Sequence, residues 1–203
     1  MAKEKMNNET LTLGEFYKKL FFTIRELVFT PRKAWTIIWS EKTGLNDVLK
    51  YFSLPLIGAF TLATFLGYIF NHQGVDFELA LKYAIFTFSA CFFGLYLAYI
   101  VILNVLPFLG LKLEKDDAFK IAAYPSVSIY LVGIVTVLFP ETFFLSFLML
   151  YAAYIVWEAI CELGNASKET RFWQTISVSA LVLSLPYLVY FLLIRLSGFT
   201  FNL

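Results

Sequence analysis

The chain has 203 residues, of which 60% are hydrophobic, 19% aromatic and only 15% charged, and its mean hydropathy is +0.73. A water-soluble domain carries roughly 25% charged and about 45–50% apolar residues, so a chain this short has too little interior to hide the surplus, and hydrocarbon must be its second solvent. A formal net charge of +1 leaves no cationic footprint for nucleic acid.

Met1–Thr10 is polar, and no cleavable signal peptide is expected, because the next segment is amphipathic rather than a plain apolar run. Between residues 11 and 29, Leu13, Phe16, Tyr17, Leu20, Phe21, Ile24 and Val28 recur at three- and four-residue steps, which predicts a helix with an apolar face. Glu15, Lys18, Lys19, Thr23 and Glu26 fill much of the other side, the pattern of a helix lying in the membrane interface. Packing on the end of a helix bundle is the alternative, and the two are compatible; Phe16, Leu20 and Ile24 are the residues expected at the interface. Thr30-Pro31 predicts a second short helix, with threonine as N-cap and proline in the first position. Trp35 and Trp39, one turn apart, suit the headgroup layer, and Gly44 is the expected end of that helix.

Five apolar runs follow, at roughly 52–70, 83–106, 119–139, 143–163 and 174–196, each near the ~20 residues a helix needs to cross a bilayer. The expected fold is all-α: a polytopic bundle of five transmembrane helices preceded by one or two interfacial amphipathic helices. Residues 1–50 form the N-terminal segment and 51–203 the membrane domain. Prolines at 55, 107, 125 and 186 fall inside or near span ends, where neighbouring helices can satisfy the freed carbonyls. The links between spans are too short to hold a soluble domain.

Lys and Arg set the expected orientation. Nine of them precede the first run, Lys112, Lys115 and Lys120 follow the second, and Lys168 and Arg171 follow the fourth, against Lys82 and Arg195 on the other side. The positive-inside rule then places the N-terminus in the cytoplasm and the C-terminus outside, in the cell (inner or plasma) membrane. In that topology Cys91 and Cys161 differ in height by roughly 15–20 Å, beyond the reach of a disulfide, so both are expected as free, buried thiols.

Small residues recur every fourth position as Ala59, Ala63 and Gly67 on the first span and as Ala90, Gly94 and Ala98 on the second. Such ladders let helix backbones approach closely. Matching ladders on adjacent spans suggest an intramolecular hairpin, with homodimerisation through one ladder as the alternative.

The polar residues within the spans are the sharpest candidates for function. Tyr151, Tyr154, Glu158 and Glu162 fall on one stripe about 80° wide at 100° per residue, and a carboxylate at the depth of Glu158 is expensive and by default faces the bundle interior. Asn104, Lys120 and Tyr124 are expected at similar depth, so the five residues Asn104, Lys120, Tyr124, Glu158 and Glu162 form a candidate cluster opening to the cytoplasm, with Lys120 pairing one glutamate. Such a cluster is either a site for an ion, proton or polar headgroup, or a clasp that fixes helix register.

Other chemistry finds little to build on. His72 stands alone, which is weak for a metal site, and there is neither a Gly-rich phosphate loop nor a nucleophile elbow. The Gly164-Asn165-Ala166-Ser167 stretch reads as a turn, and no cofactor is expected.

The chain's order resembles a known family: a basic start, an amphipathic helix, the phrase Phe29-Thr30-Pro31-Arg32-Lys33-Ala34-Trp35, five compact spans, and Ala122-Ala123-Tyr124-Pro125-Ser126 entering the third. It looks like the Yip (Ypt-interacting protein, YIPF) family, in particular its short prokaryotic members. Eukaryotic relatives are associated with Rab-type GTPases and vesicle traffic, but their Asp-Leu-Tyr-Gly-Pro motif and long N-terminal region are absent here, so the resemblance implies the fold and not Rab binding. The leading expectation is a non-enzymatic scaffold or adaptor whose partners are the lipid bilayer, a second copy or another membrane protein. The alternative is a small transporter, channel or lipid-handling protein using the cluster around Glu158.

Overall fold

The computed structural model describes residues 13–72, 76–164 and 167–197, and its regular structure there is entirely helical. Lys3, Lys5 and the Asn165-Ala166 part of the proposed turn lie outside these residues. Two short helices, α1 (Leu13–Phe29) and α2 (Pro31–Ser40), precede five that are long and apolar enough to cross a membrane: α3 (Leu45–Asn71), α4 (Phe77–Leu109), α5 (Lys115–Leu138), α6 (Pro140–Glu162) and α7 (Lys168–Leu196). The expected all-α, five-span architecture is therefore present.

The spans run past the apolar stretches because polar turns at their ends continue the helix. Asp76 caps α4 by accepting from the Leu79 amide, and Ser167 caps α7 by accepting from Thr170. Two sequence expectations about caps fail. The Thr30 hydroxyl donates to Glu26 Oε2 at 2.6 Å instead of capping α2. Gly44 does not end α2, which stops at Ser40; Gly44 has negative φ and precedes the first turn of α3.

The prolines are absorbed in different ways. Ahead of Pro55 the chain winds into a π-turn over Leu49–Ser53, in which the Leu54 amide reaches the Leu49 carbonyl. At Pro125, α5 breaks between Ala123 and Val127, and the Ser126 hydroxyl donates to the Ala122 carbonyl at 2.8 Å. The first half of α6, from Pro140 to Leu150, is a tighter 3₁₀ winding.

Helix α5 is the centre of the bundle. It packs on each of the other four spans, and 61% of its apolar window is buried against 28–33% for the others. Residues 118–130 are buried without a break. The same apolar core takes in Leu27 of α1 and Trp35 and Ile38 of α2, so the helices before the first span are part of the packed body.

The small-residue ladders are used, and their two glycines each admit a further span. A Cβ at Gly67 would collide with the Val137 carbonyl of α5, and one at Gly94 would lie 2.6 Å from Pro186 Cα of α7. Spans α3 and α4 are neighbours, yet their glycines admit other partners, and Ala59 is exposed. The expected pairing of the first two spans is present, with Ala63, Gly67, Ala90, Gly94 and Ala98 buried, and each ladder glycine also makes room for a third helix. Cys91 is buried, Cys161 is half-buried, and both are free.

Candidate functional site at the basic end

One end of the bundle carries α1, α2, the turn after α4 and the turn after α6, and with them most of the cations; Lys82 and Arg195 belong to the other end. Helices α1 and α2 are strapped to this end by three hydrogen bonds with α6. Trp35 Nε1 donates to the Ile155 carbonyl at 2.8 Å, the Tyr151 hydroxyl to the Val28 carbonyl at 2.8 Å, and the Thr36 hydroxyl to Glu162 Oε1 at 3.0 Å. Glu158 is half-buried beside Tyr151 and Tyr154, and Arg32 of α2 acts on the same neighbourhood. From the stripe predicted on the fourth span, Tyr151 and Glu162 hold α1 and α2, while Tyr154 is exposed.

The five-residue polar cluster does not assemble. Lys120 is buried, and its ammonium binds Asp117 Oδ1 at 3.3 Å and the Glu41 carbonyl at 3.2 Å, with Nζ 5.6 Å from the Trp39 ring centroid. It pairs with neither Glu158 nor Glu162. Asn104 is exposed and donates to the Ile100 carbonyl of its own helix at 2.6 Å. The physical reason is a wedge: the fully buried Trp35 meets Tyr124 edge-on at 5.7 Å on one side and bonds to α6 on the other, which separates Lys120 and Tyr124 from the glutamates.

That wedge also corrects the expectation that Trp35 and Trp39 sit among headgroups. Trp35 is a core residue, and Trp39 is half-buried, stacked on it at 5.1 Å. Phe16, Leu20 and Ile24 likewise face inward, half-buried, with Leu20 and Ile24 packed on the core. The large apolar residues of α1 left exposed are Leu13, Tyr17, Phe21, Phe22 and Phe29, at 76%, 61%, 70%, 48% and 77%. At 100° per residue the apolar arc of α1 runs from Phe16 to Phe21 over about 140°, wider than the ~100° needed to bind a single surface. Leu20, Ile24 and Leu27 of the arc meet protein, while Tyr17 and Phe21 at its edge are bare, next to Lys18 and Arg25, with Phe22 and Phe29 exposed beyond those cations.

Between α1, α2 and the opening turns of α3 lies a cavity of about 850 Å³. Phe16, Leu20, Ile38 and Phe52 give it apolar walls, Tyr124 and Thr43 polar ones, and Lys19, Glu41, Lys42, Asp47 and Lys50 bring charge. Lys19 of α1 pairs with Glu41, just beyond α2, at 3.3 Å. A second cavity of about 420 Å³ opens at the other end, among Tyr68, His72, Tyr83, Cys91, Tyr187 and Tyr190. Neither Glu158 nor Glu162 lines either cavity. His72 is taken up by its own helix, stacked on Tyr68 at 4.1 Å with Nδ1 3.1 Å from the Tyr68 carbonyl, and no metal-binding group of three or more His, Cys, Asp or Glu occurs among the described residues.

Sequence reasoning missed the cavity, because no periodicity encodes a gap between elements. It could have found the outward face of α1 from the width of the apolar arc. No family model matches the chain, and neither the curated proteins nor the solved structures include a match to it.

Proposed function

We propose that this multi-pass membrane protein is a non-enzymatic scaffold or adaptor of Yip-like type, set in the inner or plasma membrane with its basic end in the cytoplasm, where α1 lies on the lipid surface. The observation that carries this reading is the division of α1 between a packed side and an exposed apolar one. Leu20, Ile24 and Leu27 pack on the bundle, Leu13, Tyr17, Phe21, Phe22 and Phe29 are exposed and apolar, and Lys18 and Arg25 stand exposed beside them. A helix with cations flanking an exposed apolar strip binds an interface by burying the strip and attracting anionic headgroups. The grouping of cations at the same end supports a cytoplasmic assignment.

The alternative, transport through the Glu158 cluster, has less behind it, since that carboxylate lies apart from Lys120 and lines neither cavity. The test is depth measurement in lipid nanodiscs, with a nitroxide placed by Tyr17→Cys, Phe21→Cys or Lys18→Cys in a Cys91→Ala, Cys161→Ala background. Oxygen-accessible labels at 17 and 21 beside a water-accessible label at 18 are expected. Water accessibility at all three positions would overturn the proposal.

A further inference from the structure

We infer that the cavity at the basic end is a headgroup site for a zwitterionic aminophospholipid, a glycerophospholipid bearing a phosphodiester and a primary ammonium. The inference rests on α1 lying at the membrane surface, as proposed above, and names the lipid that the α1–α2 layer takes there.

A volume of about 850 Å³ falls within the ~300–1,000 Å³ of small-molecule sites. Its walls are divided as an amphipathic ligand requires. Phe16, on the apolar wall, has its ring 5.0 Å from that of Tyr17 on the bare face of α1 and 6.0 Å from that of Tyr51 on α3, so the cavity wall continues into the surface assigned to lipid. Acyl chains can leave by that route while the headgroup stays inside.

The charges select the headgroup. The lining holds three lysines, Lys19, Lys42 and Lys50, and three carboxylates, Glu26, Glu41 and Asp47. Glu26 is engaged by Arg25 and Thr30, and Lys19 by Glu41. Lys42, Asp47 and Lys50 have no ion pair among the described residues, Lys50 lying over the Tyr51 ring at 4.9 Å. Two cations suit a phosphodiester, and Asp47, one helical turn from Lys50 on α3, suits a cation beside it. A purely anionic headgroup would leave Asp47 facing a like charge, which costs affinity. A trimethylammonium group carries no N–H to donate to the carboxylates, whereas a primary ammonium carries three. The unengaged set, two cations and one carboxylate, therefore fits a phosphodiester beside a primary ammonium better than a glycerol or a choline headgroup.

The experiment is native mass spectrometry of the full chain released from nanodiscs made with equal parts of phosphatidylethanolamine, phosphatidylcholine and phosphatidylglycerol of identical acyl composition. Retention of the ethanolamine lipid about tenfold over the other two is expected, the worth of one hydrogen bond to a charged group. Asp47→Asn should bring the ethanolamine-to-choline ratio close to one, and the pair Lys42→Gln, Lys50→Gln should lower retention of both lipids together. Equal retention of all three lipids by the parent chain, or variants that retain lipid as the parent does, would overturn the inference. Displacement by an equal concentration of soluble glycerophosphoethanolamine would overturn the assignment to a membrane lipid. The depth measurement on α1, run in the same nanodiscs, separates the two levels. A membrane-lying α1 without lipid selectivity defeats this inference alone, and a water-exposed α1 defeats the reading beneath it.

Discussion

Replacing Trp35 tests whether the N-terminal helices are held by one buried anchor. The indole is fully buried, donates to the Ile155 carbonyl at 2.8 Å, and contacts Trp39 at 5.1 Å and Tyr124 at 5.7 Å. Truncating a core tryptophan to alanine costs about 3–5 kcal/mol. Of this, about 1 kcal/mol is the hydrogen bond, and each aromatic pair contributes about 0.5–1.5 kcal/mol. If that loss falls on docking of α2, the undocked population rises by about two orders of magnitude or more, at one decade per 1.4 kcal/mol. Trp35→Phe keeps a ring in the wedge but not the donor, and should cost about 1–2 kcal/mol. Amide hydrogen exchange across residues 31–40 in nanodiscs reads this opening directly, because local unfolding exchanges ahead of the bundle. Faster exchange in α2, with α4 and α7 unchanged, is expected for Trp35→Ala. Unchanged exchange in α2 beside a lower global melting temperature would refute the reasoning, since the tryptophan would then support the bundle and not the docking of α2.

Three further outcomes follow from the packing. Gly94→Val should destabilise the fold in detergent melting by at least about 1–3 kcal/mol, because its Cβ meets Pro186 backbone at 2.6 Å, while Gly58→Ala, with nothing within 4 Å, should leave the melting temperature equal or higher. Asp117→Ala should strand the buried Lys120 ammonium and cost toward the low end of about 3–5 kcal/mol, since the Glu41 carbonyl and the Trp39 ring remain beside it; urea titration in mild detergent reads the difference. Impermeant thiol reagents on intact cells should label Glu78→Cys and not Lys42→Cys in the cysteine-free background, and the reverse pattern would invert the proposed orientation.

What could be read in the sequence divides along a physical line. The spans were legible because a lipid solvent leaves a helix as the one way to satisfy the backbone of an apolar run. The stripe on the fourth span was legible because helical geometry alone puts Tyr151, Glu158 and Glu162 together. Their partners were not. Trp35 and Ile155 are 120 positions apart in sequence, and a general preference of tryptophan for headgroups says nothing about a helix that wedges its indole between α5 and α6. Lys120 went astray for the same reason: a glutamate at equal depth is an eligible partner by height, but Asp117, one turn away on its own helix, is closer and part-hydrated. The ladders show a milder form, in which small residues announce a close approach without naming the helix that approaches.

Glu158 and Glu162 of α6 and the two short helices before α3 then stand in one arrangement. Glu162 is exposed at the end of α6 and accepts from Thr36 of α2, and Arg32 of α2 bears on the Tyr154–Glu158 neighbourhood. Reciprocally, α2 spends four of its ten residues, Pro31, Ala34, Trp35 and Ile38, on the bundle, so its orientation is fixed and α1, one residue upstream, is aimed. With Tyr151 also holding the carbonyl of Val28, the end of α1 is pinned at the bundle rim, and its exposed apolar residues are left outside the bundle contact. Glu162, part of a candidate transport site in a one-dimensional reading, acts here as a fastening for α2.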